Sequence, residues 1–294
     1  MKNLKNILFV FIVIGLQNCT NLISYQMTRP INTATMHNET INDLTLFYYT
    51  LGNEDNPPIV FLHGILAFTE AYKKILLSLS KQYFVIGIDL PGHGRSTISS
   101  YPYDINNISQ DVIRLTEKLG LNQFYLVGHS MGGLITLSIC EQFPNRVIKG
   151  VSIASLYNVE GIEFNNNKYN FLSENGFRKN NNRNNNYILK IFNHAYYRLD
   201  EEEKFSKTKD ILESYKKDLY PQFTVSQVQS IETPILIVVA EKDRLIKPEH
   251  TKSMAKLLKN GTLLSLPNAN HGSVLSSKRN IKILTNSIYS FFGS

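Results

Sequence analysis

A serine flanked by two glycines is the pattern in this chain with the clearest chemical meaning. The pattern is Gly-x-Ser-x-Gly, with Gly128, Ser130 and Gly132 in the three fixed positions. The apolar run 124–127 before it predicts a short buried strand, and the apolar run 134–137 after it predicts the start of a helix. A serine held in a sharp strand-to-helix turn leaves no room for side chains two residues away, which explains both glycines. The spacing therefore predicts a presented serine nucleophile, and the alternative is an ordinary glycine-rich turn beside a surface serine.

A serine nucleophile needs a base, and the chain offers seven histidines for that purpose. His271 comes just after the last predicted strand, and Asp243 directly follows the strongest predicted strand, 235–240. Because the loops that follow parallel strands share one edge of a sheet, Ser130, Asp243 and His271 are expected to meet there. The chain order serine, aspartate, histidine is also one in which such residues occur at the edge of a parallel sheet. Glu160 follows another predicted strand and is the one alternative acid, but the sequence around Asp243 favours Asp243.

The remaining histidines and acids near these motifs have structural interpretations. His63, His93 and His129 are expected to be turn or packing residues with hydrogen-bonded rings. Asp89 ends a predicted strand, and we expect it to brace the glycine-rich loop that follows it. The chain has no histidine and cysteine cluster with zinc spacing, and no phosphate-loop lysine follows that glycine-rich loop. No metal and no cofactor are therefore expected.

Strands and helices alternate on both sides of the serine motif. Before it, apolar runs predict strands over 44–49, 59–62 and 84–88, with a helix over 69–79. An amphipathic helix follows from Ile105 to Leu119, with Asp104 placed to cap its start and Gly120 its end. After the motif, strands are predicted over 150–154, 235–240 and 263–266, and a closing helix over 274–292. This alternation predicts an α/β protein whose mostly parallel sheet is covered by helices on both faces.

The alternation is interrupted over residues 155–230. Residues 165–186 contain eleven asparagines, which disfavour long regular elements because asparagine side chains compete for backbone hydrogen bonds. The segments 187–199 and 210–219 carry aromatic and apolar residues at loosely helical spacing. We therefore predict a first core half over 37–154, a helical cap with an asparagine-rich inset over 155–230, and a second core half over 231–294.

Five sequence blocks resemble the α/β-hydrolase superfamily, and in particular its serine esterases and its monoacylglycerol lipase and lysophospholipase-like members. The blocks are His63-Gly64, Asp89 to Ser96, Gly128 to Gly133, Glu241 to Asp243, and Asn270 to Gly272. The resemblance covers residues 44–154 and 231–292. It implies the α/β-hydrolase fold, with a mostly parallel central sheet flanked by helices and a helical cap inserted after the sixth strand.

The resemblance also implies a role for each site residue. Ser130 would be the nucleophile, His271 the general base and then the acid, and Asp243 the group that holds the imidazole. The backbone N–H groups of Ile65 and Met131 would form the oxyanion hole, and backbone donors need no polar side chain at these positions.

Nucleophile identity narrows the expected reaction. Relatives that open epoxides or displace halide have an aspartate where this chain has Ser130, so serine favours acyl transfer to water. The expected substrate is a small-molecule acyl ester: an acylglycerol, a lysophospholipid or a short acyl ester. Three alternatives stay open, namely a carbon–carbon bond hydrolase or an acyltransferase with the same triad, and a non-catalytic ligand-binding hydrolase fold.

Composition is that of a globular protein, with 43% apolar and 19% charged residues among 294. The formal net charge is +7, but the basic residues are scattered among acids and follow no nucleic-acid-binding pattern. We therefore expect no nucleic acid partner, and we infer no obligate protein partner.

The N-terminus has the pattern of an export signal. Two lysines precede the apolar run 7–16, which is too short to span a bilayer comfortably but suits a secretory signal. Leu16, three residues before Cys19, resembles the lipobox of bacterial lipoproteins, although Asn18 stands where Gly, Ala or Ser is usual.

We accordingly expect a signal peptide over 1–18 and a tether over 19–36. The protein would be exported to the periplasm or cell envelope, with membrane attachment through a lipidated Cys19 or through the N-terminal segment. A plain signal peptide and an uncleaved N-terminal anchor are the alternatives to lipidation.

Overall fold

The computed structural model describes residues 19–163, 183–214 and 223–293. The predicted signal peptide at 1–18 and most of the predicted asparagine-rich inset at 165–186 lie outside these residues. Within the described ranges, no helix is both long and apolar enough to cross a membrane.

Eight strands form one sheet in the order β1-β2-β4-β3-β5-β6-β7-β8. The strands are β1 Thr35–Ile41, β2 Leu44–Leu51, β3 Pro58–Leu62, β4 Phe84–Ile88, β5 Phe124–His129, β6 Val147–Ile153, β7 Ile235–Ala240 and β8 Gly261–Leu266. The strands β3 to β8 pair in parallel, whereas β2 is antiparallel to both β1 and β4. This arrangement confirms the predicted mostly parallel sheet and adds the unpredicted strand β1.

Helices cover both faces of the sheet because its central strands are apolar on both sides. All six residues of β7 are buried, as a strand in the middle of a parallel sheet requires. The covering elements are the 3-10 turns Thr69–Tyr72 and Val159–Gly161 and the helices Lys73–Leu79, Ile105–Lys118, Met131–Gln142, Pro248–Leu257, Ser273–Ser276 and Lys278–Gly293. The helices predicted over 69–79 and 274–292 are therefore each split into two pieces.

The helix Ile105–Lys118 shows how local sequence sets the ends of these elements. The Asp104 carboxylate accepts a hydrogen bond from the Asn107 N–H at 2.8 Å, which caps the helix start. Gly120, just past the helix end, has a φ of +70°, a conformation that glycine adopts without strain. Both ends are as the sequence predicts.

Three helices follow β6 and form the cap: Arg183–Arg198, Glu202–Ser214 and Val225–Ser230. The cap is fixed to the glycine-rich loop after β4. The buried Tyr196 hydroxyl accepts from the Gly94 N–H at 3.0 Å, and the Thr208 hydroxyl donates to the Gly92 carbonyl at 2.5 Å. The predicted cap position after the sixth strand is thus confirmed.

The structure differs from the expected tether at 19–36. Residues 19–28 are helical, and β1 begins at Thr35. The buried Ser24 hydroxyl accepts from Arg198 Nε at 3.3 Å, Lys73 donates to the Gln26 carbonyl, and the Arg198 guanidinium lies 5.4 Å from the Tyr25 ring centre. This helix was not predicted because its polar residues find their hydrogen-bond partners in elements that are distant in the sequence.

Candidate active site

Ser130 lies in a strained turn between β5 and the helix Met131–Gln142. Its φ is +54° and its ψ −116°, a conformation that a serine rarely adopts. A Cβ atom at Gly128 would lie 2.0 Å from the Gly132 carbonyl oxygen, and one at Gly132 would lie 2.2 Å from the Leu62 carbonyl oxygen. Only glycine fits at either position, which is the steric reason for the motif.

Backbone contacts hold this turn in place. The Ser130 N–H donates to the Ile153 carbonyl at 2.9 Å, and the Ser155 hydroxyl donates to the Ser130 carbonyl at 2.7 Å. The neighbouring strand β6 and the loop after it therefore fix both ends of the residue. Its side chain is one of those that line a cavity at this edge of the sheet.

His271 and Asp243 form a direct pair. The distance from His271 Nδ1 to Asp243 Oδ2 is 2.7 Å. The other carboxylate oxygen accepts from the N–H groups of Leu245 at 2.8 Å and Ile246 at 3.1 Å. Burial by itself would raise the pKa of Asp243, but His271 and these backbone donors outweigh it and lower that pKa below its usual value. An ionised carboxylate only accepts hydrogen bonds, so it fixes the proton on Nδ1 of a neutral His271 and leaves Nε2 free of hydrogen.

The alternative acid does not share this position. Glu160 lies in the 3-10 turn Val159–Gly161, and its side chain is exposed. Ser130 and His271 line one cavity, whereas Glu160 is not among the residues that line it.

The two expected oxyanion donors lie beside the serine. Ile65 and Met131 both line the same cavity as Ser130. Met131 is the first residue of its helix, where backbone N–H groups have no acceptor within the helix. His63 Nε2 accepts from the Leu90 N–H at 2.9 Å, so its Nδ1 carries the proton and donates to the Gly64 carbonyl at 2.7 Å. Because the C=O and N–H of one trans peptide unit point in opposite directions, this bond sets the direction of the Ile65 N–H.

The remaining predicted packing residues are mostly as expected. Both ring nitrogens of His129 are hydrogen-bonded, whereas His93 is bonded at Nδ1 only, and its buried Nε2 has no partner among the described residues. Burial lowers the pKa of each of these two imidazoles to about 3 and that of His63 to about 4. Asp89 braces the glycine-rich loop, since its carboxylate accepts from the Thr69 N–H at 2.7 Å and the Arg95 N–H at 3.0 Å.

The cavity has a volume of about 420 Å³. Its reactive part is made by Ser130, Met131, Ile65 and His271, which all follow strand ends. We call these four residues, together with Asp243 behind His271, the strand-end site. A second part comes from two helices outside the core, and we call it the apolar wall: Ile23, Met27, Leu189, Ile191 and Phe192.

No lysine, arginine, aspartate or glutamate occurs among the described residues that line the cavity. Neither Ile23 nor Met27 was predicted from the sequence, because both fall in the expected tether. Their spacing of four residues, which places two side chains on one helix face, was the available signal.

No cysteine occurs among the described residues that line this cavity. The described ranges contain no group of three or more His, Cys, Asp or Glu side chains that could hold a metal ion. Cys19 is exposed in the helical segment 19–28, and Cys140 is buried in the helix Met131–Gln142.

Comparison with known proteins identifies the family. The model of the α/β hydrolase fold family matches residues 57–277, well over half of the chain, and the chain therefore belongs to this family. The uncharacterized hydrolase YugF of Bacillus subtilis (strain 168) is 27% identical over 256 residues, which cover 79% of this chain and 89% of that protein. These matches make the chain a hydrolase of the α/β fold.

Two solved structures share this fold over nearly their whole length. One is a membrane phospholipase A described as a bacterial virulence factor, with a TM-score of 0.71, 18% identity, and coverage of 99% of both chains. The other is a putative lipase (lip1) from Acinetobacter baumannii AYE, with a TM-score of 0.71, 21% identity, and coverage of 94% of this chain and 95% of that chain.

Proposed function

We propose that this protein is a serine hydrolase that cleaves carboxylic esters of uncharged, apolar acyl groups through an acyl-enzyme on Ser130. One observation carries the proposal: Ser130 and the Asp243-paired His271 line a single cavity whose described lining residues carry no charged side chain. The phospholipase and lipase likeness supports it at the level of the fold.

Acylation would use the proton positions that the site dictates. His271 has its hydrogen on Nδ1, held by Asp243 at 2.7 Å, so its free Nε2 can take the Ser130 proton as the hydroxyl attacks the ester carbonyl. The same nitrogen then returns that proton to the departing alcohol. Asp243 stabilises the imidazolium and does not itself take the proton.

The negative charge on the attacked carbonyl oxygen would be met by backbone N–H groups of Ile65 and Met131. Such donors act strongly because they are already oriented when the charge develops, and one of them is typically worth on the order of 10²–10³ in turnover. Water, activated by His271, would then release the acid and restore the serine.

The cavity favours a neutral acyl group over a charged one. Burying an unpaired carboxylate in apolar surroundings costs several kcal/mol or more, and no described cationic side chain lines the cavity to offset that cost. The volume of about 420 Å³ lies within the range of roughly 300–1,000 Å³ of small-molecule sites. Acylglycerols, lysophospholipids and short acyl esters all satisfy these conditions.

Hydrolysis of nitrophenyl esters with acyl chains of two to sixteen carbons tests the proposal. Wild-type protein should turn over at least part of the series, and Ser130→Ala should lower kcat by about 10⁴–10⁶. The matched control is Ser138→Ala, which removes a buried hydroxyl from the helix that follows Ser130 and should keep wild-type activity. A wild-type protein inert at every length would contradict the proposal and favour carbon–carbon cleavage or ligand binding.

We also propose that the protein is exported and attached to the cell envelope through a lipid on Cys19. The apolar run 7–16 and Leu16 three residues before the cysteine support this, as does the exposure of Cys19. Cys19→Ala should then move the protein from the membrane fraction to the soluble fraction. Unchanged membrane association would instead indicate an uncleaved apolar anchor.

A further inference from the structure

We propose that Tyr72 and His129 are positioning residues that couple the Gly64–Ile65 turn to the loop of His271 through one hydrogen-bonded chain. The proposal deepens the proposed function and rests on it, because the turn carries the proposed oxyanion donor Ile65 and the loop carries the proposed base His271. Tyr72 lies at the end of the 3-10 turn Thr69–Tyr72, and His129 is the last residue of β5.

Three contacts make up the chain, which we call the Tyr72–His129 relay. The Gly64 N–H lies 3.1 Å from the Tyr72 hydroxyl oxygen, and that oxygen lies 2.9 Å from His129 Nδ1. At the other end of the imidazole, His129 Nε2 lies 3.1 Å from the carbonyl oxygen of His271. Tyr72 and His129 both line the cavity, but little of either residue is exposed, so water competes little for these bonds.

The three contacts allow one arrangement of protons. A backbone N–H only donates, so the Tyr72 oxygen accepts from Gly64. If His129 carried its hydrogen on Nδ1, its bare Nε2 would face the His271 carbonyl, and two acceptors would meet without a proton between them. The Tyr72 hydroxyl therefore donates to Nδ1, and the proton on Nε2 goes to the His271 carbonyl. Burial keeps His129 neutral, since it lowers the pKa of its imidazole to about 3.

Close packing leaves this arrangement little freedom. A Cβ atom at Gly64 would lie 3.2 Å from Ser130 Cβ, 3.3 Å from His129 Nδ1 and 3.3 Å from the Tyr72 hydroxyl. The backbone of Gly64 thus touches the nucleophile and both members of the relay. His63 holds the Gly64 carbonyl on the next peptide unit, so the turn is fixed from two sides.

The relay fixes the spacing between the Ile65 N–H and His271, which in the proposed mechanism both act on the ester carbonyl of the substrate. One end orients the turn that presents the Ile65 N–H to the developing oxyanion. The other end holds the backbone of the histidine that moves the proton. Small displacements at such groups are costly in rate, with about 100-fold lost for a misplacement near 1 Å.

Tyr72→Phe is the first test because it removes one oxygen and breaks two links of the relay. We expect kcat on the best ester to fall about 10- to 100-fold with KM within about twofold of wild type. The matched control is Tyr103→Phe, which breaks a buried tyrosine hydroxyl contact to His93 Nδ1 of 3.1 Å away from the cavity. The control should lower thermal stability to a similar degree and leave kcat unchanged.

Variants at His129 separate coupling from general loss of packing. His129→Leu breaks both of its links, and Tyr72→Phe/His129→Leu should cost no more than about twofold beyond the worse single variant, because both remove one chain. His129→Gln keeps an N–H donor for the His271 carbonyl and should recover part of kcat relative to His129→Leu. Multiplying losses in the double variant would overturn the relay.

Amide hydrogen exchange tests the relay without any substrate. Tyr72→Phe should speed exchange in two separate segments, around 64–66 and around 271–273, whereas Tyr103→Phe should speed neither. Faster exchange at only one segment, or wild-type kcat in Tyr72→Phe, would overturn the proposal. Activity that survives Ser130→Ala would instead overturn the proposed function, and the exchange result would still decide the relay.

Discussion

The strand-end site and the apolar wall both contribute residues to the same cavity but are built in different ways. The residues of the strand-end site follow β3, β5, β7 and β8, so the hydrogen-bonded sheet fixes where their backbones lie. The apolar wall comes from residues 19–28 and from the helix Arg183–Arg198, both of which are added to the core from outside. Chemistry and substrate preference should therefore respond to separate mutations.

The attachments of the two regions differ in kind. Strand-end residues are held by backbone bonds such as Ser130 N–H to the Ile153 carbonyl and by the partly buried Asp243–His271 pair. The wall is held by side chains: Arg198 to Ser24, Lys73 to Gln26, and Tyr196 to the loop after β4. This difference suggests that the wall can be reshaped at little cost to the fold.

Asp243→Asn should give the largest effect in this comparison after Ser130→Ala. An amide can donate its N–H to His271 Nδ1 and so favour the wrong tautomer, and we expect kcat to fall by about 10⁴. Glu160→Gln, the matched control, changes an exposed acid outside the cavity and should leave kcat unchanged. Steady-state kinetics on the best ester measures both. A large loss in Glu160→Gln with Asp243→Asn active would reverse the assignment of the acid.

Ile23→Trp should change substrate preference and leave the chemistry alone. The larger side chain would fill part of the cavity, so we expect kcat/KM to fall about tenfold for long acyl chains and to stay within twofold for the two-carbon ester. Leu22→Trp is the matched control, because Leu22 is the neighbouring residue, is 61% exposed and does not line the cavity. Equal losses at every chain length would show that the wall does not select the acyl group.

The last prediction concerns stability and not activity: the buried His93 should make the free energy of unfolding depend on pH. Burial lowers the pKa of His93 to about 3, whereas an unfolded histidine titrates near 6.5. Below pH 6.5 the unfolded chain binds a proton that the folded chain does not bind until about pH 3, so acid favours unfolding.

Denaturant unfolding at several pH values measures how much His93 contributes to the pH dependence of the free energy of unfolding. As the pH is lowered from 6.5 to 3, wild type should lose up to about 1.4 kcal/mol of unfolding free energy per pH unit because of His93. His93→Gln lacks this loss and should therefore become more stable relative to wild type. The apolar wall contains no titratable side chain, so Ile23→Trp and wild type should give parallel curves. Parallel curves for His93→Gln as well would contradict the depressed pKa of His93.

The residues of the strand-end site could be predicted from the sequence because their signals are local. Ser130 is marked by two glycines that the turn requires, and Asp243 and His271 each follow a strand whose apolar run is visible without the structure. The same runs predict seven of the eight strands and a mostly parallel sheet, and among these seven only β2 runs antiparallel.

The apolar wall and the Tyr72–His129 relay could not be predicted in the same way because their signals are not local. Residues 19–28 fold as a helix against Arg198 and Lys73, which are far away in sequence. Tyr72 and His129 are separated by 57 positions, and each has an ordinary packing role until its partners are known. Strand β1 was missed for a related reason, since it is a largely exposed edge strand without an apolar run.

Labelling with p-nitrophenyl alkyl phosphonates tests whether Ser130 is the nucleophile of the strand-end site. These compounds react with an activated serine and leave a stable adduct that mass spectrometry locates in the chain. We expect one adduct per molecule, on Ser130, formed faster with a long alkyl group than with a methyl group and absent in Ser130→Ala. No adduct on the wild-type protein, or an adduct that persists in Ser130→Ala, would contradict this role of Ser130.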